Sequence, residues 1–357
     1  MPFDDWILTM LERRASDLIL KPGLAPTLRV GGTLEKIDGE VLTEPVVTDL
    51  FRTIAQPRHE KSLQERGEVD LAWDVGATRI RANFFRQRGH LCAVLRRIAT
   101  AVGSFEDLGL PMGTLSKLAE STRGLLLVTG TAGSGKSTTL AAMIEHMNRT
   151  TRRHIVTIED PIEYLFRDGQ CVIEQREVGL DTLGYFEALK HVVRQSPDVI
   201  LIGEMRDADT VQAAISAAQT GHLVMSTLHT VSAKQTVERI LNYFDPGLHA
   251  TVRMELSLVL RGIVSQRLVR VSDGTMVPAT EILVGTPTIQ ELLREGKSQA
   301  LQEAMRDGAF FGMNTFNQSL KSLVTGGRIS MEEALRASDA PDDLKLEMRG
   351  ISRAVLS

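Results

Sequence analysis

Eight consecutive residues, Gly130-Thr131-Ala132-Gly133-Ser134-Gly135-Lys136-Ser137, fit the pattern G-x-x-x-x-G-K-[ST]. Glycines at these positions let the backbone curl so that several N–H groups point inward at phosphate oxygens. Lys136 adds a point charge for the β- and γ-phosphates, and the Ser137 hydroxyl is placed to ligate Mg²⁺. A helix predicted to begin here presents its positive end to the same anion. Together with Thr138 in its first turn, this stretch is the expected binding set for ATP with Mg²⁺.

Such a loop needs an acid at the end of a neighbouring strand. Val199-Ile200-Leu201-Ile202-Gly203-Glu204 supplies one, and the longer side chain of Glu204, where many such enzymes carry Asp, points to action on Mg²⁺ through water. A second acidic strand end, Glu159-Asp160-Pro161-Ile162-Glu163, follows the apolar Ile155–Ile158. Ligands of open α/β sheets bind beyond the carboxyl ends of the strands, and a carboxylate there, Glu159 or Glu163, can orient and polarise an attacking water. His222 and His229 bracket a further strand. Seven residues apart on extended chain, they point to opposite faces, which disfavours a shared metal.

The elements that must position these groups follow from periodicity. From about Thr114 short apolar strands alternate with helices: Leu125–Thr129, a helix over Ser137–Asn148, Ile155–Ile158, a helix face of Leu183, Phe186, Leu189, Val192 and Val193, then Val199–Ile202, a helix over Val211–Ala218, and Leu223–Leu228. That alternation predicts a parallel sheet covered on both faces. Beyond about Leu248 the helical period is expected to dominate. The first hundred residues read instead as a small α+β domain. Trp6, Ile7, Met10 and Leu11 repeat at helical spacing, Thr27–Val30 and Arg79–Phe85 are strand-like, and Gly31-Gly32 signals a turn. Arg79, Arg81 and Asn83 alternate with Ile80, Ala82 and Phe84, giving a basic and a buried strand face, and Arg96 and Arg97 mark a second basic strand end. Thr100–Pro111 reads as linker, so the expected domains are 1–100, a linker 101–113, and 114–357.

Several blocks in the same order resemble the PilT/PilU family of secretion-type ATPases over nearly the whole chain. They are Ala15-Ser16-Asp17-Leu18, the phosphate loop, Thr157–Glu163, Gln175-Arg176-Glu177-Val178, Ile202–Asp207, and Thr220-Gly221-His222-Leu223 through Thr227-Leu228-His229. The resemblance implies an N-terminal PAS-like domain, a RecA-like P-loop NTPase domain with a parallel-rich sheet, a helical C-terminal region, and assembly as a hexameric ring. Carried over by position, Glu163 becomes the catalytic glutamate, Glu204 the metal-side acid, and His222 and His229 nucleotide-sensing histidines. Arg81 and Arg96 match arginines that reach toward a nucleotide from the N-terminal domain. The implied task is type IV pilus retraction against an inner-membrane platform protein. Gly312–Leu320 and Ala340–Leu346 look like PilU-type segments. The box AIRNLIRE of PilT-type members reads Thr288-Ile289-Gln290-Glu291-Leu292-Leu293-Arg294-Glu295 here, which points to a second retraction ATPase as partner. No paired C-x-x-C motif occurs, unlike the zinc-bearing assembly ATPases of pili and type II secretion.

Composition narrows the remaining classes. A chain of 357 residues with net charge −4, pI about 6.1 and 4% aromatic residues does not suit a nucleic-acid motor. Asp4 and Asp5 stand where a secretory signal would carry basic residues, and no apolar run approaches the roughly 18 residues of a membrane span. Two cysteines, Cys92 and Cys171, read as reduced thiols. A cytoplasmic enzyme reaching the inner membrane through partners is the expectation.

Overall fold

Ile7 and Met10 do form one buried helix face, in α1 (Pro2–Glu12). The computed structural model describes residues 2–76, 78–98 and 102–350. The chain divides into two units, Met1–Ala101 with Glu163–Leu165, and Val102–Ile162 with Phe166–Ser357. The expected boundary near residue 100 falls outside the described residues.

In the first unit, β1 (Asp17–Leu20), β2 (Thr27–Val30), β3 (Thr33–Lys36), β4 (Glu68–Val75), β5 (Thr78–Gln87) and β6 (His90–Arg97) form one antiparallel sheet in the order β3-β2-β1-β6-β5-β4. Gly31 and Gly32, at φ +55° and +87°, make the two-residue turn between β2 and β3, a conformation that only glycine adopts without strain. Helices α2 (Glu44–Ile54) and α3 (Pro57–Arg66) complete the unit. Its core holds Ile7, Leu18, Leu28, Phe51, Phe84 and Leu95. The alternation of β5 is as expected, with Ile80, Ala82 and Phe84 buried.

The second unit is built on β7 (Gly124–Thr129), β8 (His154–Glu159), β9 (Val172–Glu177), β10 (Val199–Ile202), β11 (Leu223–Leu228), β12 (Leu260–Arg270) and β13 (Met276–Val284). Their order is β13-β12-β7-β11-β10-β8-β9, parallel throughout except for the β12–β13 hairpin. Every residue of β7 is buried, and its side chains alternate between two cores. Leu125 and Leu127 face one, with α6 (Tyr185–Val192), α7 (Ala208–Gln219), α8 (Ala233–Leu241), α9 (His249–Val259) and α10 (Pro287–Glu295). Leu126 and Val128 face the other, with α4 (Met112–Ala119) and α5 (Lys136–Thr150). A sheet covered on both faces has no use for polar alternation, which is why its strands read as continuous apolar runs. Helices α11 (Leu301–Asp307), α12 (Phe316–Thr325), α13 (Met331–Ala337) and α14 (Pro341–Met348) follow, and the last three pack on the β12–β13 hairpin through Phe316, Leu320, Ala334 and Leu344.

Three expectations change, and one strand was not expected. The region beyond Leu248 is not purely helical, because Ile263, Val264, Val269, Val277, Thr280 and Ile282 belong to an 11- and a 9-residue strand turned at Asp273-Gly274. β9, unmarked by any apolar run, adds a parallel edge to β8. Leu183 is 90% exposed, since α6 starts only after Gly184. The stretch read as linker places Phe105 and Leu110 in the core beneath α4 and α5. Among the described residues no helix is long and apolar enough to cross a membrane.

Candidate functional site

The turn after β7 is shaped by close approach. A Cβ on Gly130 would stand 2.4 Å from the carbonyl oxygen of Gln266 and from Ser134 Oγ, and one on Gly135 would stand 2.7 Å from Gln266 Nε2. Gly133, at φ +74°, meets nothing within 4 Å and leaves that side of the loop open. Lys136, almost wholly buried, donates to the carbonyls of Gly130 and Thr131 at 3.0 Å each. The 15-residue α5 starts here with no acid in its first turn, so the positive end of its dipole is uncompensated.

Gln266, invisible as a site residue in the sequence, holds this loop to β12. Its Nε2 donates to the Ser134 carbonyl at 2.8 Å, and its Oε1 accepts from Thr139 Oγ1 at 2.7 Å. One step back, Thr129 Oγ1 donates to Ser265 Oγ at 2.9 Å. One step on, Arg267 donates to Asp339 at 3.0 and 2.7 Å and stacks on Phe316. Neighbouring residues of one strand thus tie the phosphate loop and the C-terminal helices to the same backbone.

The acids gather at the carboxyl ends of β8 and β10. Glu204 accepts from Arg206 Nε at 2.8 Å, and His229 Nε2 lies 3.5 Å from its other oxygen. Thr227 Oγ1 donates to the Gly203 carbonyl at 2.7 Å and fixes the end of β11 against that of β10. Glu159 accepts from Thr157 Oγ1 at 2.6 Å and from Gln175 Nε2 at 3.1 Å, while Glu177 accepts from the Ile162 N–H at 3.3 Å. The Gln175–Val178 segment therefore braces the acidic strand end from the edge strand.

The sheet brings Gly130–Thr138, Glu204 and His229 to its carboxyl edge. His222 is not there. It precedes the amino end of β11, roughly 20 Å away at about 3.3 Å per residue. Its Nδ1 lies 2.9 Å from the Ala217 carbonyl. Glu163, Arg81 and Arg96 belong to the other unit. Glu163 is exposed. Arg81 Nη2 donates to Asp70 at 3.2 Å and Arg96 Nε to the buried Asp17 at 2.7 Å. The strand register sets Arg29, Asp17, Arg96 and Arg81 in one row across β2, β1, β6 and β5, with Arg29 and Arg96 both on the Asp17 carboxylate. Like charges placed directly opposite repel, and Asp17 separates these two.

The residues present fit a phosphate chain and a hard cation. Ser134 Oγ is buried without a hydrogen-bond partner inside the loop, as an atom awaiting an acceptor or donor would be. Ser137 and Glu204 offer oxygen ligands of the kind Mg²⁺ prefers. Among the described residues no group of three or more His, Cys, Asp or Glu is placed to hold a metal ion.

Residues 10–303 match the family model described as type II/IV secretion system protein. The chain is 44% identical over 334 residues to the type IV pilus retraction ATPase PilT of Pseudomonas aeruginosa, covering 93% of this chain and 96% of that protein. It is 39% identical over 351 residues to the type IV pilus ATPase PilU of the same organism, covering 98% and 92%. Among solved structures, the pilus retraction motor PilT with bound ADP superposes with a TM-score of 0.90 at 41% identity, over 96% of this chain and 98% of that one. The Legionella pneumophila ATPase DotB does so with 0.75 at 26% identity, over 98% and 95%.

Proposed function

We propose, from the premise that this chain belongs to the type II/IV secretion system protein family among its PilT/PilU type IV pilus ATPases, that it hydrolyses ATP to ADP and phosphate to drive pilus retraction. The observation that carries this reading is the phosphate loop itself. Its open Gly133 side, the buried Lys136 and the uncapped start of α5 lie on the sheet edge that also holds Glu204 and His229.

In this reading the backbone of Gly130–Gly135 and Lys136 bind the phosphates, with Thr138 in the first turn behind them. Ser137 and Glu204 would hold Mg²⁺, which supplies charge neutralisation to the β- and γ-phosphates. His229 orients the Glu204 carboxylate, and Glu163 polarises the attacking water. Arg81 and Arg96 stabilise charge that develops on the transferred phosphoryl group, and His222 answers to a nucleotide beyond its own loop.

The chain works as a ring of identical subunits without nucleic-acid contacts, in the cytoplasm and held at the inner membrane by a pilus platform protein. The N-terminal unit takes the part of a PAS-like domain, with its boundary near residue 100. A PilU-like role beside a second retraction ATPase is supported by the box on α10. Gln290 and Glu291 stand in it where the PilT-type pattern has Arg and Asn, and Gln290 Nε2 donates to the Gly285 carbonyl. The same substitutions favour one other reading, a nucleotide-binding ring subunit with no motor activity of its own.

Purified protein should turn over Mg-ATP, and Lys136→Ala should abolish turnover with the fold intact. Unchanged turnover in that variant would remove the assignment. Wild-type turnover no faster than that of Glu204→Ala would favour the regulatory subunit.

A further inference from the structure

The acids at the sheet edge share their surroundings with one neutral donor that the reading above does not use. Tyr185 opens α6 and packs, partly buried, against the core that includes Ala188, Ile202 and Met205. Its hydroxyl lies over Gly203, so close that a Cβ there would stand 2.9 Å from the phenolic oxygen. Gly203 is the residue before Glu204, and its N–H donates to the Ile158 carbonyl at 2.7 Å, across the gap between β8 and β10. The hydroxyl is thus laid where the two acidic strand ends meet. Asp160, Glu204 and Glu159 all act on it electrostatically, with Arg206 as the opposing charge.

We infer that Tyr185 is a positioning residue for the hydrolytic step, its O–H serving as donor to the water that the strand-end carboxylates hold. The inference rests on the ATPase reading. Arg206, Thr157 and Gln175 already donate to Glu204 and Glu159, whereas a water donating to such carboxylates still has a lone pair to satisfy. The phenolic O–H can supply that donor and so set the water's orientation. Burial, and after it the negative charge of Asp160, pushes the phenol well above its ordinary range, so it stays a donor at every working pH. Glycine at position 203 has its reason here as well, since any side chain would occupy the place of the hydroxyl.

Tyr185→Phe keeps the ring in its packing and removes only the donor. The expected result is a kcat lowered about tenfold, the rate equivalent of one hydrogen bond, with the KM for ATP and the melting temperature nearly unchanged. Gly203→Ala, which displaces the hydroxyl, should lower kcat in the Tyr185 protein more than in the Tyr185→Phe background. Wild-type kcat in Tyr185→Phe, or fully additive effects of the two changes, would overturn the inference while leaving the ATPase reading in place. A wild-type protein without Mg-ATP turnover would remove both.

Discussion

His229 Nε2 stands 3.5 Å from Oε1 of Glu204, while Oε2 of the same carboxylate takes a 2.8 Å hydrogen bond from Arg206. The acid is therefore held from two sides, by its own loop and by the end of β11. His229 is exposed and adds little to the core. Its replacement by Ala should leave stability within about 0.5 kcal/mol and lower kcat by roughly ten- to a hundredfold. Nucleotide affinity should change far less. Steady-state ATPase assays beside equilibrium binding of a nucleotide analogue check this, and a loss confined to affinity would sink it.

Gln266 carries a different burden. It is 4% exposed and satisfies the Ser134 carbonyl on the loop and Thr139 on α5 at once. Gln266→Met keeps the volume but strands both partners, a cost of about 1–3 kcal/mol for each one left buried and unpaired. The loop then loses its support behind Gly135. Expected are a lower melting temperature and a nucleotide affinity down by about tenfold or more. Calorimetry and a binding titration on the same sample separate the two effects, and unaltered affinity would show that the brace is dispensable.

How much of this was legible in the sequence depends on whether a signal was local. The phosphate loop, Glu204 and the apolar β7, β8, β10 and β11 were plain, because each is encoded in a run of adjacent residues. Gln266 was not, since its partners Ser134 and Thr139 lie more than 120 positions away in sequence and its strand was read as helical. β9 escaped because an edge strand with Glu174, Gln175, Arg176 and Glu177 has no apolar pattern to betray it. Spacing set His222 and His229 at the two ends of one strand. It did not show that the His229 end is the one beside the phosphate loop, which follows from the parallel pairing of β11 with β7. Leu183 misled by falling in phase with a helix that Gly184 prevents from starting so early.

In the N-terminal unit Arg29 and Arg96 hang on one buried carboxylate, that of Asp17. Asp17→Ala removes the acceptor from Arg96 and Arg29 and leaves their charges facing each other. Because both arginines reach solvent, the loss is screened, and about 1–2 kcal/mol is expected, growing at low salt. Both tryptophans of the chain, Trp6 and Trp73, belong to this unit. Their fluorescence during urea unfolding therefore reports it selectively. An unshifted tryptophan transition at low salt would contradict the proposed role of Asp17.

Glu281 gives the protein a pH dependence of known sign. It is 4% exposed on β13, accepts the Ala233 N–H at the start of α8 at 2.8 Å, and is pushed up to about 7, chiefly by burial, with that hydrogen bond and Arg267 opposing and Asp339 adding. A carboxyl raised in the folded state holds its proton more tightly there than in the unfolded chain. Its contribution to stability is complete below the ordinary value of 4.5 and is lost as pH rises through about 7. At about 1.4 kcal/mol per pH unit that interval amounts to on the order of 3 kcal/mol. Glu281→Gln keeps an acceptor for Ala233 and never ionises. Wild type and variant should melt alike near pH 5, and by pH 8 the variant should be the more stable. Circular dichroism melts across this range decide the matter, because the tryptophans do not sense this unit, and parallel pH profiles would mean that Glu281 stays ionised throughout.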